Sequence, residues 1–280
     1  MIYIDVVFLI NKQINKGVLQ VFNDIRGDVT SGSDSLLQAI QKREFKPYIQ
    51  PIVCASNHKI IGGELLVRWH TSDRGVIYPD SFIDNMEKAG ILSELTCSII
   101  NEVVVNFDGE NKFNGEGFIL HVNVAPSLLH NKKFISTCIR VAKKNNLSLV
   151  LELTEQYFFT MDSKTISTFH FLKESGVQFA LDDFGTGYSN LFYLECFTVD
   201  FIKVDKMFTQ GLERCKQSHY IIETILELSK KLNIKTIAEG VENMELVNKL
   251  MLLGVDYFQG YYFGQAIELC SFIKEYRKTV

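Results

Sequence analysis

The sequence has little of what several function classes require. Its six cysteines, Cys54, Cys97, Cys138, Cys196, Cys215 and Cys270, are scattered, with no CxxC and no short ligand spacing. That pattern excludes a zinc ribbon and reads as the packed, reduced thiols of a cytoplasmic protein. Basic residues are in no excess: 29 Lys and Arg stand against 33 Asp and Glu, a formal charge of −4. Such a balance gives no footprint for polymeric nucleic acid, although it leaves room for a small anionic ligand held locally. Long apolar runs are missing too. IYIDVVFLI, residues 2–10, contains Asp5, is too short to span a bilayer and has neither a basic flank nor a cleavage site. It suits an ordinary packed element, or the stub of a membrane or sensory segment in a longer, membrane-tethered form. No two histidines have ligand spacing; only His121 falls in a core strand, where a hydrogen-bonded interior residue is the expectation.

What is present is core-forming material. With 46% hydrophobic and 22% charged residues over 280 positions, the chain is about twice the usual domain length but of ordinary size for an α/β barrel. The polar, turn-rich RGDVTSGSDS, residues 26–35, marks a boundary between an N-terminal extension, 1–34, and a main domain, 35–280. From Phe45 onward, short β-rich runs begin at residues 45, 59, 117, 149, 177, 199, 234 and 255. Segments of helical period separate most of them. Eight strands alternating with helices predict a (β/α)8 barrel, with a doubly wound open sheet as the rival. Only CASNH, residues 54–58, joins the first two runs, which is too short for a helical crossover, so those strands are expected to be antiparallel.

The run IIGGELLVRW, residues 60–69, places Glu64 and Arg68 on one face among Ile, Leu, Val and Trp. Taken alone, this is a buried ion pair. Later runs repeat the pattern, however. Asn123, Glu152 with Glu155, Asp182 with Asp183, Lys203 with Asp205, Glu239 with Glu242, and Gln259 all fall late in their strands. That is the end where barrel enzymes build their sites. If they converge, Glu64, Glu152, Asp182, Asp183 and Glu239 form an acidic pocket balanced only by Lys203 and Arg68, and like charges so close would repel and take up protons unless cations were bound. Ligands that are all oxygen suit Mg²⁺ or Mn²⁺. Two such ions about 3.5–4 Å apart are the usual device for hydrolysing a phosphate ester. The tripeptide DFG at Asp183–Gly185 is not a kinase signal, since no HRD loop or VAIK strand accompanies it. FGTGYS, residues 184–189, is either a phosphate cradle or merely a turn.

Taken in order, YIQPIV, GGELLVRW, HVNVA, LELTE, LDDFGTGYSNL, VDFIKVD, IAEGVE and DYFQGYYFG make the chain from about Ser35 onward resemble the EAL-domain cyclic di-GMP phosphodiesterases. The resemblance implies a modified TIM (β/α)8 barrel with one antiparallel strand, hydrolysis of cyclic di-GMP to linear pGpG, and two Mg²⁺ or Mn²⁺ ions. Glu64, Asn123, Glu152 and Asp182 are then ligands of one ion, and Asp183 and Glu239, with Asp182 bridging, ligands of the other. Lys203 orients or helps deprotonate the attacking water, with Glu239 also cast as general base. Arg68 holds a substrate phosphate, and Gln50 and Asp205 join it in substrate binding. Gln259 and Glu242 support the second ion, and Glu155 anchors the loop around Phe184–Asn190, which is tied to dimer contacts. A homodimer is implied. The alternative is a non-catalytic receptor or interaction module on the same barrel. Three departures stand out: Leu65 where alanine is usual, HVNVA for Ser-Val-Asn-Leu-Ser, and FGQAI for a Phe-Gly-Arg-Pro ending. Leu65 is expected to point toward the helical layer, whereas His121 lies nearer the site.

Overall fold

The computed structural model describes residues 33–107, 117–154, 162–186 and 190–276. The strands are β1 Phe45–Cys54, β2 Ile60–Thr71, β3 Gly75–Ile77, β4 Phe118–Asn123, β5 Leu147–Leu153, β6 Gln178–Phe184, β7 Phe201–Val204, β8 Lys235–Ala238, β9 Tyr257–Gln259 and β10 Ile267–Glu268. The helices are α1 Ser33–Gln41, α2 Ile83–Lys88, α3 Leu92–Phe107, α4 Lys132–Ala142, α5 Ser163–Glu174, α6 Asn190–Cys196, α7 Lys206–Gly211, α8 Lys216–Leu232, α9 Met244–Leu253 and α10 Leu269–Tyr276. Asn131, Asp162 and Asn243 accept backbone N–H bonds at the starts of α4, α5 and α9, which is why those helices begin there.

Eight strands close in the order β1-β2-β4-β5-β6-β7-β8-β9 and back to β1, while β3 and β10 extend the edges. The β1–β9 pairing, Ile52 opposite Gln259, shuts the ring and rules out the open sheet. β1 runs antiparallel to both β2 and β9, and every other pair around the ring is parallel. The short connection after β1 folds back as a turn, with His58 N–H donating to the Cys54 carbonyl at 2.9 Å. Within the closed ring the one antiparallel strand is therefore β1, as the five-residue link demands.

Two expectations change. The run at 199–208 forms a strand only to Val204, because the Asp205 carboxylate accepts the Met207 N–H at 2.7 Å and starts α7. The last run is extended only over Tyr257–Gln259; beyond it, a Cβ on Gly260 would lie 2.2 Å from the Val241 carbonyl oxygen, so the chain turns where only glycine fits. The proposed extension, apart from its last residues, lies outside the described residues. Among the described residues no helix is long and apolar enough to cross a membrane.

Strand residues divide between two cores by alternation. Leu65, Val122, Leu151, Leu181, Ile202 and Ala238 point outward into the large core beneath the helices. Ile52, Val150, Ala180, Phe201 and Ile237 fill the barrel interior as a separate cluster. This apolar plug closes the interior below the strands' C-terminal ends, so whatever stands one pleat higher faces the mouth.

Candidate metal centre and active site

One pleat above the plug, the inward residues turn polar on the same strands. Val150 gives way to Glu152, Ala180 to Asp182, Phe201 to Lys203 and Ile237 to Glu239. Lys203 sits at the centre and is only 1% exposed. Its Nζ lies 2.9 Å from Asp182 Oδ1, 2.9 Å from Glu239 Oε1, 3.0 Å from Glu152 Oε1 and 3.4 Å from Glu64 Oε2. A buried ammonium costs several kcal/mol unless paired, so these acids are what keep it there. Burial works against its charge, but Asp182, Glu152, Glu239 and Glu64 outweigh it and hold the lysine well above its ordinary range.

Glu64 is fixed from both sides. Asn123 Nδ2 donates to Oε1 at 2.7 Å and Gln259 Nε2 to Oε2 at 2.7 Å. Burial pushes its carboxyl upward, yet Lys203 and these two amide donors prevail and keep it below the ordinary value. Glu152 goes the other way: burial, then Glu64, Asp182 and Glu239, lift it well above the carboxylate range against the pull of Lys203. Glu239 is pushed up to about 8, first by burial and then by Asp182 and Glu64, again against Lys203. Asp183 is raised to about 6 by burial, Asp182 and Asp205. One lysine does not satisfy five acids, and burial together with their mutual repulsion raises Glu152, Glu239 and Asp183.

Adjacent residues on a regular strand face opposite sides, so Asp182 and Asp183 should not share a site. A bulge solves this. Leu181 pairs with Ile202 but Phe184 with Val204, so β6 carries one extra residue. Asp183 takes up the extra length with φ of +51°, a conformation aspartate tolerates better than most side chains. Carboxylate oxygens of Asp182, Asp183 and Glu239 then lie within 4.8 Å of one another. Oxygen donors at this spacing, short of positive charge, fit a hard divalent ion better than zinc, and among the described residues no histidine or cysteine joins the group.

The remaining candidates arrange themselves around this centre. Gln50, Asp205, Glu242 and Gln259 line a cavity of about 460 Å³ together with Glu64, Asp183 and Glu239. Gln50 lies opposite Glu64 across the β1–β2 ladder, and its Oε1 accepts from Gln259 Nε2 at 3.3 Å. Asp205 contributes as a helix cap, and exposed Glu242 is held by Gln210 Nε2 at 2.9 Å. A second cavity of about 590 Å³ reaches Glu64, Asn123, Asp182 and Asp183 from the side of α2 and α3. Arg68 does not pair with Glu64. Its guanidinium lies 4.7 Å from the Tyr78 ring centre and 5.5 Å from that of Tyr48, and it donates to the Val67 carbonyl. Glu155 and part of the loop after Asp183 lie outside the described residues.

Two features escaped sequence reasoning. The aromatic clasp on Arg68 joins residues from two strands and a loop; only the diagonal placing of Tyr48 across the hairpin from Arg68 could have suggested it. His121 Nδ1 shares a hydrogen bond with Glu152 Oε1 at 2.9 Å, a contact that needs the β4–β5 register to be known. Burial, followed by Lys203, holds this imidazole well below its ordinary range, so it is neutral.

Comparison with known proteins agrees with this geometry. Residues 33–266 match the EAL domain. Over 246 residues the chain is 33% identical to the cyclic di-GMP phosphodiesterase PdeL of Escherichia coli K12, covering 87% of this chain and 68% of that protein. It is 34% identical to the probable cyclic di-GMP phosphodiesterase PdeG of the same organism over 242 residues, 85% of this chain and 48% of that one. It thus spans between about half and two-thirds of these relatives. A solved structure described as the PaMucR phosphodiesterase in complex with c-di-GMP superimposes with a TM-score of 0.72 at 28% identity, covering 84% of this chain and 96% of that one.

Proposed function

The chain belongs to the EAL-domain family, and on that premise we propose that it hydrolyses cyclic di-GMP to linear pGpG with divalent cations bound at the acidic centre. The observation that carries this reading is the surplus of carboxylates: Glu64, Glu152, Asp182, Asp183 and Glu239 surround a single buried ammonium. Acids crowded in this way suit bound cations, which a receptor that only bound the nucleotide does not need.

In this proposal Glu64, Asn123, Glu152 and Asp182 hold one Mg²⁺ or Mn²⁺, and Asp182, Asp183 and Glu239 hold a second. Such ions acidify water and offset charge on the phosphate. The protein's own groups do the rest. Glu239, in its deprotonated form, takes a proton from the attacking water. Lys203 orients that water and donates to the phosphate region. Water oxygen bonds to phosphorus as the P–O3′ bond breaks, and the departing 3′ oxygen takes up a proton to give the free hydroxyl of pGpG. Arg68, held by Tyr48 and Tyr78, grips a phosphate, with Gln50 and Asp205 beside the substrate, and Gln259 and Glu242 steady the second ion's surroundings. Action as a homodimer in the cytoplasm belongs to the same proposal.

The test is product formation. Purified protein with Mg²⁺ or Mn²⁺ yields pGpG from cyclic di-GMP, Ca²⁺ supports little turnover because it prefers longer and more numerous bonds, and Glu64→Ala is inactive. Absence of linear product with either metal overturns the proposal, and binding of the nucleotide without turnover replaces it with the receptor reading.

A further inference from the structure

We propose that His121 is a positioning residue: its Nδ1–H holds the Glu152 carboxylate in the orientation a divalent ion requires, a role that rests on the metal-dependent reading above. The first ground is its place in the barrel. On β5, β6, β7 and β8 the inward residue one pleat below the site is apolar: Val150, Ala180, Phe201 and Ile237. On β4 that position is His121, fully buried, two residues before Asn123. An imidazole in an apolar layer is disfavoured unless a hydrogen bond compensates. Its bond is the one to Glu152 Oε1 at 2.9 Å.

The second ground is the state of the ring. Nε2 is buried and has no hydrogen-bond partner among the described residues. A proton there would be stranded, so the favoured tautomer carries its proton on Nδ1 and aims it at Glu152. The ring plane is fixed by an edge-on contact with Phe201, 5.2 Å between centres. The third ground is exclusivity. Among the described residues Glu152's other side-chain contact is Lys203, which touches both carboxylate oxygens and is shared with Glu64, Asp182 and Glu239. A cation divided among four acids sets charge but not rotation about the carboxylate. His121 bonds one oxygen, Oε1, from a fixed direction, while Oε2 is met by Lys203 at 3.1 Å. Supporting donors of this kind commonly matter about 10- to 100-fold in metal affinity.

The experiment compares His121→Leu with His121→Asn, side chains of nearly equal size, of which only asparagine keeps an N–H at the same number of bonds from Cα. Mn²⁺ binding is measured calorimetrically, kcat and KM for cyclic di-GMP at saturating Mn²⁺, and metal-free melting temperature as a check on folding. The expected result is Mn²⁺ affinity about 10- to 100-fold weaker in His121→Leu, with lower kcat and KM within about twofold of wild type, and recovery of most of both losses in His121→Asn. Equal Mn²⁺ affinity in wild type and His121→Leu, or an asparagine variant as weak as the leucine one, overturns the role. Wild type that binds no Mn²⁺ overturns this inference together with the metal-dependent reading. Wild type that hydrolyses cyclic di-GMP beside an unimpaired His121→Leu overturns this inference alone.

Discussion

Inside the barrel, two layers built by the same strands one pleat apart have opposite characters. The lower one, Ile52, Val150, Ala180, Phe201 and Ile237, is apolar but for His121 on β4. The upper one packs Glu64, Glu152, Asp182 and Glu239 around Lys203 within 3.4 Å. The plug is where this part of the structure gains stability, since fully burying such side chains is worth about 1.5–3 kcal/mol each. The ring is where stability is given up, because like charges are crowded out of water. Stability and chemistry are separated here by about 7 Å along each strand, at about 3.3 Å per residue.

Substitutions in the two layers should separate the two properties. The largest effect belongs to the ring: Glu239→Gln lowers kcat by on the order of 10²- to 10⁴-fold, read by pGpG formation under saturating Mn²⁺. Phe201→Ala in the plug instead lowers unfolding free energy by about 3–5 kcal/mol in urea titration, with Mn²⁺ affinity of the folded protein within about threefold of wild type. Leu65→Ala, in the outer core, costs about 2–5 kcal/mol while kcat stays within about threefold, because that side chain points away from the ring. Mn²⁺ uptake near neutral pH releases protons, since Glu239 titrates near 8 and Asp183 near 6 in the metal-free protein. Apparent affinity therefore rises from pH 6 to 9, which calorimetry in buffers of different ionisation enthalpy measures. The smallest effect has the same origin. A carboxyl raised by folding stabilises the protein below its ordinary range, and this contribution is lost as pH climbs through about 8. Glu239→Gln removes that loss, so the metal-free variant melts higher than wild type at pH 9, by roughly 2–4 °C for each kcal/mol relieved.

Alternation made most of the ring legible in the sequence. A strand that turns polar late, repeated from Glu64 to Gln259, announces a barrel mouth whatever the register, and the short link after Cys54 announces the antiparallel strand. Pairing is what the sequence withheld. That Asp182 and Asp183 share a site depends on a bulge and a positive φ, which no residue pattern in LDDFG specifies. The contact between His121 and Glu152 and the clasp of Tyr48 and Tyr78 on Arg68 depend on which strands and loops become neighbours. Helix α7 was hidden because VDFIKVDKMF reads as one apolar run, and only the capping bond of Asp205 ends the strand. Glu64 and Arg68, which look like partners from their shared face, are tied instead to Lys203, Asn123 and Gln259 on one side and to aromatic rings on the other.

The central claim is that the polar layer exists to hold divalent ions. Its most direct test is anomalous scattering at the manganese edge from crystals grown with Mn²⁺ and cyclic di-GMP. Peaks are expected within the group Glu64, Asn123, Glu152 and Asp182 and within the group Asp182, Asp183 and Glu239, with Lys203 drawn off at least one carboxylate. A map with no peak within coordinating distance of these groups, and Lys203 still touching all four acids, would contradict it.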